Sequence, residues 1–169
     1  AGCALMTIII LVSLAAPLLT PYDPTLMDVT QKALPVSREH LLGTDRMGRD
    51  ILARLLYGGR VSILIGLVSA AGASLIGVVL GCISGYYGGA VDMIMERVSD
   101  VLSGVPFMVV TTLFQLHLAN KVGVVPALLF AFVLTGWIGM SALTRKQFYR
   151  FKGQEFVLAA RTLGASDRR

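Results

Sequence analysis

Polar and apolar positions fall along this chain in long blocks rather than residue by residue. Residues 1–22, 61–91, 101–120 and 122–144 contain no Lys, Arg, Asp or Glu. About 20 apolar residues let an α-helix cross the hydrocarbon core of a bilayer. The blocks therefore predict four spanning helices, at residues 1–22, 61–87, 101–120 and 122–144. The first exceeds a signal-peptide core, has no charged region before it and offers no small-residue cleavage site around Pro17 to Pro24, so it is expected to span. In the second, Ala73, Gly77, Gly81 and Gly85 recur at every fourth residue, which leaves one side smooth enough for another helix to approach closely. The run GYYGG at residues 85–89 is expected to end that helix. Pro106 should kink the third span near its start, and Pro126 is tolerable near the start of the fourth. Gln115, His117 and Asn120 lie toward the outer end of span three. Spans two to four have no acidic residue in their cores to make a proton relay with His117.

Two polar blocks remain. In residues 23–60, Pro24 and Pro35, with Pro21 just before, keep the first half extended. In the second half Ile51, Leu52, Leu55 and Leu56 share one face of a helix whose other side carries Asp50 and Arg54. Thr44 or Asp45 is the expected cap, and Gly58 and Gly59 the expected stop. In residues 145–169, the cluster Arg145, Lys146, Arg150 and Lys152 closes span four, and Lys and Arg beside a span resist translocation, so this block is a cytoplasmic loop. From Glu155 it forms a short amphipathic helix, with Phe156, Val157, Ala159, Ala160 and Leu163 on a broad face and Glu155, Arg161 and Thr162 opposite. Gly153 is the candidate N-cap and Gly164 the left-handed stop. Counting back from this loop places residues 20–60 outside and the N-terminus inside. The external loop also carries Lys32, Arg38, Arg46, Arg49, Arg54 and Arg60, but long loops cross largely regardless of charge. Asp92, Glu96 and Asp100 recur at four-residue spacing. They suit either the positive dipole end of a helix or contact with a cytoplasmic partner.

Composition agrees with a membrane protein. Hydrophobic residues make up 55% and charged residues 15%, against roughly 25% charged in a soluble domain. The 15 Lys and Arg against 10 Asp and Glu, a formal charge of +5, therefore reflect topology rather than nucleic-acid binding. Cys3 and Cys82 sit in uncharged runs, without metal-ligand spacing, as packing residues. The run GTDRMGRD at residues 43–50 approaches a phosphate-binding loop, but Arg49 replaces its Lys, Asp50 would repel a phosphate, and no buried strand precedes it. No cofactor, metal or catalytic residue is expected. The chain begins at Ala1 inside an apolar run, as a fragment at both ends would.

Two stretches carry a family resemblance. Residues 158–164, LAARTLG, are similar to the Glu-Ala-Ala, three residues, Gly signature of the cytoplasmic coupling loop in ABC importer permeases, with Leu158 in place of the Glu. The run from His40 to Gly66, HLLGTDRMGRDILARLLYGGRVSILIG, resembles the LGTD, GRD and G-x-R-x-S-L run of dipeptide, oligopeptide and nickel permeases, with Ala53 where Ser is usual and Ile63 where Leu is usual. TGWIG at residues 135–139 is similar to the family's run before the coupling loop. The resemblance covers nearly the whole chain and implies an all-α, polytopic helical membrane protein of the ABC importer transmembrane-domain type, a fragment with about four spanning helices. Its expected parts are a first transmembrane helix (1–22), an extracytoplasmic loop with an amphipathic helix (23–60) and the N-terminal part of the permease core (61–169). The implied function is ATP-driven import of dipeptides or oligopeptides across the cytoplasmic membrane of a prokaryote, most like the oligopeptide branch. Nickel or another small solute is the alternative cargo. Outside the family, the alternatives are an ion-coupled secondary transporter or channel and a membrane scaffold without a transport role. The implied partners are ATP-binding subunits, which would carry the ATP chemistry, a homologous second permease subunit, an extracytoplasmic substrate-binding protein and membrane lipid. The resemblance assigns ATPase coupling to Glu155, Leu158, Ala159, Ala160 and Gly164, and an external-loop motif to Gly43, Thr44, Asp45, Gly48, Arg49, Asp50 and Arg60.

Overall fold

A computed structural model describes residues 2–165. The fold is all-helical, and among the described residues the only extended pairing is an isolated antiparallel bridge between Thr44 and Asp50. The helices are α1 (Gly2–Leu14), α2 (Ala16–Leu19), α3 (Ile51–Tyr87), α4 (Gly89–Ser103), α5 (Phe107–Val122), α6 (Val124–Lys152) and α7 (Glu155–Thr162). They are distributed over two compact units, Ala1–Gly66 and Leu67–Arg169, and α3 has residues in both.

In the first unit, α1 is apolar throughout but has 13 residues. At 1.5 Å per residue that is about 20 Å, less than the hydrocarbon thickness. Pro17 lies in the first turn of α2, where its missing N–H costs nothing. The following loop holds a 3-10 turn at Val29–Gln31, opened by the Asp28 side chain accepting from the Thr30 N–H at 2.9 Å, and further turns closed by the Gly43 N–H on the His40 carbonyl and the Gly48 N–H on the Asp45 carbonyl. Helix α3 is capped by Asp50, whose Oδ1 accepts from the Ala53 N–H at 2.7 Å. This corrects the expectation of Thr44 or Asp45 as the cap. Gly58 and Gly59 do not stop the helix either, which continues to Tyr87. A helical Gly costs only about 1 kcal/mol relative to Ala, and the apolar run beyond outweighs it. Gly59 also faces the buried Ser13, whose Oγ would lie 2.6 Å from any added Cβ.

In the second unit the small-residue side of α3 lies against α6. A Cβ added to Gly77 would meet the Trp137 carbonyl at 2.7 Å, one at Gly81 the Ser141 carbonyl at 2.6 Å, and one at Gly85 the Phe148 Cβ at 2.7 Å. The helices thus meet at backbone distance, with Ala73 against Gly136. As the sequence predicts, α3 ends in GYYGG, where Gly88 turns the chain at φ 64°. Helices α4 and α5 are bent by 76° at the break between Ser103 and Phe107, sharper than the kink expected of Pro106, which here precedes α5 as its cap. Gly123 (φ 93°) reverses the chain, and α5 and α6 form a hairpin joined by the ring pairs Phe107–Phe132 and Phe114–Phe130, 5.3 and 5.2 Å apart.

Among the described residues α3 and α6 are long and apolar enough to cross a membrane, and the bent pair α4–α5 makes a third span if counted as one. Large apolar side chains remain uncovered along these helices, including Leu75, Val101 and Met108 at 70, 72 and 76% exposure. In water that would be untenable, and it is the surface a lipid solvent requires. His117 is exposed, with Nδ1 turned to its own helix's Leu113 carbonyl at 3.0 Å.

Candidate functional site

The fourth apolar block does not give way to a loop at its basic cluster. Helix α6 runs on through Arg145, Lys146, Arg150 and Lys152, where cations oppose the negative dipole end. Gly153 then caps α6 rather than opening α7, and Gln154 takes the N-cap position of α7. The joint is hydrogen bonded throughout. Gly153 N–H donates to the Tyr149 carbonyl at 3.3 Å, Gln154 N–H to Phe151 at 3.1 Å, and Leu158 N–H to Gln154 at 3.2 Å.

Helix α7 starts at Glu155 as expected, and Gly164 (φ 86°) follows its last turn. None of its side chains is buried. One side, Phe156, Val157, Ala160 and Arg161, borders a cavity of about 560 Å³ whose opposite wall includes Phe148 and Phe151 of α6. Among the predicted coupling residues, only Ala160 lines this groove. Glu155, Leu158 and Ala159 are exposed and do not line it, and Gly164 lies exposed beyond the helix.

One to two turns before the joint stands a polar network that the sequence reading missed. Arg145 reaches across to α4 with both terminal nitrogens: Nη1 donates to Asp92 Oδ1 at 3.0 Å and Nη2 to Glu96 Oε1 at 3.1 Å. Asp92 also accepts from the Tyr149 hydroxyl at 2.8 Å and from the Ser84 hydroxyl. Ser84 is 1% exposed. One carboxylate therefore ties α3, α4 and α6 together. The signal lay in two matching ladders, Asp92/Glu96 and Arg145/Tyr149, each four residues apart and thus one helical face. Only knowledge of which helices are neighbours would have joined them. Asp100 pairs instead with Arg97 of its own helix at 3.5 Å.

Six of the seven residues expected to form an external-loop motif converge. Thr44 donates to the Gln31 carbonyl and accepts from the Leu34 N–H at 2.8 Å. The Asp45 carboxylate accepts from the N–H groups of Met47 and Arg49 (2.8 and 3.0 Å), from Arg49 Nε (2.9 Å) and from Arg54 Nη1 (2.6 Å). The Arg49 N–H foremost, then the Met47 N–H and the Arg49 guanidinium, hold its pKa down to about 2 against the opposing effect of desolvation. Gly43 and Gly48 both have positive φ, and at Gly48 an added Cβ would lie 1.7 Å from the Asp28 carbonyl oxygen. Asp50, besides capping α3, binds Nδ1 of the buried His40 through Oδ2 at 2.9 Å, and His40 Nε2 meets Gln31 Oε1 at 3.0 Å. His40 carried no specific sequence signal. Arg60 lies exposed on α3, outside this knot.

Helices long and apolar enough to span, with large apolar side chains left exposed along them, define a polytopic helical membrane protein. Residues 77–169, over half of the chain, match the family described as the inner membrane component of binding-protein-dependent transport systems. The chain belongs to that family. It is 36% identical over 165 residues to a dipeptide transport system permease protein of Bacillus subtilis (strain 168), covering 98% of this chain and 51% of the relative. An oligopeptide transport system permease protein of the same organism is 39% identical over 168 residues (99% of this chain, 54% of the relative). A probable D,D-dipeptide transport system permease protein of Escherichia coli (strain K12) is 36% identical over 168 residues (98% and 54%). The chain spans about half the length of these curated relatives.

Proposed function

We propose that this chain is part of a permease subunit that imports dipeptides or oligopeptides, driven by ATP-binding subunits docked on α7. The observation that carries the proposal is α7 itself, a short exposed helix inside the family-matched region, set on the end of a spanning helix by two residues. Its apolar side chains Phe156 and Leu158, with Leu163 at its C-cap, are 65, 53 and 88% exposed, and a surface so placed gains from being covered by a partner. In this reading Leu158 and Ala159 meet the ATPase directly, Ala160 lies where a partner side chain enters the groove, and Glu155 and Gly164 bound the contact. A second permease subunit and an external substrate-binding protein complete the assembly, with the motif of residues 43–50 outside and α7 inside. The dipeptide and oligopeptide names of the relatives support peptide cargo.

Cysteines at Gln31 and Gln154 test the sidedness: the first should react with an impermeant reagent from outside and the second only from inside. Ala160→Glu and Gly164→Asp test the coupling, because each sets a charge in the contact. Membrane insertion should survive while ATPase association and peptide uptake fall together. Normal association and uptake in both variants would refute the proposal. Competition of uptake by peptides and by nickel separates the cargo readings, and vanadate sensitivity separates ATP drive from ion coupling.

A further inference from the structure

We infer that Arg145 is the positioning residue through which movement of α7 is handed to α4, and that α4 swings as a lever about the break at Gly104 to Pro106. This rests on the coupling role proposed for α7. The joint at Gly153 and Gln154 is hydrogen bonded on both sides, so a displacement of α7 is passed to the last turns of α6 rather than absorbed in a slack loop. At this end those turns are attached to α3 through Lys152 Nζ, which donates to the Tyr86 carbonyl at 2.8 Å, and to α4 through the grip of Arg145 and Tyr149. The grip has two points, Asp92 and Glu96, one turn apart on the same face of α4. A guanidinium is planar and holds its donors in a fixed fork, so two carboxylates at that spacing fix the orientation of α4 as well as its distance.

The far end of α4 is built to yield. The chain leaves it at Gly104, turns at Val105 and Pro106, and starts α5 at an angle of 76°. Beside this elbow is a largely apolar cavity of about 680 Å³, bounded by Leu102, Val105 and Phe107 on one side and by Phe132, Gly136 and Gly139 of α6 on the other. An elbow that borders an open groove is not held by a close-packed core on that side and can change its angle without displacing one. Ser84 of α3 donates to the same Asp92. Asp92 is therefore where the moving pair α4–α6 is referred to α3, and it accepts three donors where Glu96 accepts one.

Spin labels on cysteines replacing Val101 and Leu116, which are 72 and 67% exposed, report the α4–α5 elbow in the intact protein assembled with its ATPase subunits in phospholipid vesicles. Adding magnesium, ATP and vanadate should shift the label distance. In Arg145→Gln that shift should be lost while a cysteine at Leu158 still cross-links to the ATPase. Arg145→Lys keeps the charge without the fork and should restore part of the shift. Should Arg145→Gln not assemble, Asp92→Asn and Glu96→Gln serve in its place, the first diminishing the shift more than the second. A merely structural Arg145 would lower assembly without changing the shift per assembled complex. An unchanged shift in assembled Arg145→Gln, or in both carboxylate variants, would overturn the lever. So would a cross-link without any shift in the unsubstituted protein. Absence of the Leu158 cross-link in the unsubstituted protein would instead overturn the coupling role of α7, and the lever with it.

Discussion

Two regions of this chain hold themselves together with a carboxylate and a guanidinium, and they do so at opposite ranges. In the loop before α3, Asp45 takes Arg49 and Arg54 from 4 and 9 residues away, and His40 meets Asp50 at a separation of 10. At the end of the bundle, Arg145 takes Asp92 and Glu96 from 53 and 49 residues away, and Tyr149 takes Asp92 from 57. The loop closes on itself and needs no helix packing to define its partners. The bundle network exists only while α3, α4 and α6 keep their register. A local knot is a fixture; a distant grip reports, and responds to, the arrangement of the helices.

The contrast can be broken most forcefully at Gly48. Gly48→Val puts a branched side chain at φ 77° and into the Asp28 carbonyl, and should cost roughly 3 kcal/mol of loop stability. Protease nicking within residues 23–50 should rise sharply. A disulfide between cysteines at Ala73 and Gly136, neighbours across α3 and α6, should still form. The reverse experiment is Gly81→Leu, which drives a side chain into Ser141 and Thr144. Overpacking of this kind costs about 1–3 kcal/mol; the same disulfide should weaken while the loop stays protease resistant. If either substitution disturbs both regions equally, the division into local knot and distant grip is wrong.

The smallest effect sharpens the comparison by pH. Asp45 is held at about 2, below its ordinary 3.8, so the folded loop favours its charged form. The stability this contributes is complete above the ordinary value and is lost as pH falls from 3.8 toward 2. Protease resistance of the loop should drop across that window, and Asp45→Asn should flatten the profile.

What the sequence made legible follows the same division. The motif of residues 43–50 is contiguous, and its Gly and Asp residues announce a turn, so six of its members could be expected together before any fold was known. The α3 stripe and α7 were legible because helical periodicity marks them. The end of α3 was legible at GYYGG, but its beginning was not: Gly58 and Gly59 read as a stop because local propensity is all that a sequence window contains, whereas the apolar run beyond them decides. The Arg145 network escaped notice for the same reason. Its two ladders are far apart, and each has an adequate local explanation, dipole for one and topology for the other.

The length of α6 has a consequence of its own. From Val124 to Arg145 the helix rises about 32 Å, close to the thickness of a bilayer's hydrocarbon. A hydrocarbon core entered at Val124 would leave the guanidinium at the boundary with headgroups and water. Membrane thickness then becomes a setting on the grip. A thicker bilayer draws Arg145 and its carboxylates into a drier medium and tightens their attraction, while a thinner one wets them and loosens it. On the proposed lever, the surrounding lipid would be a component of the coupling, chosen by the cell rather than encoded in the chain.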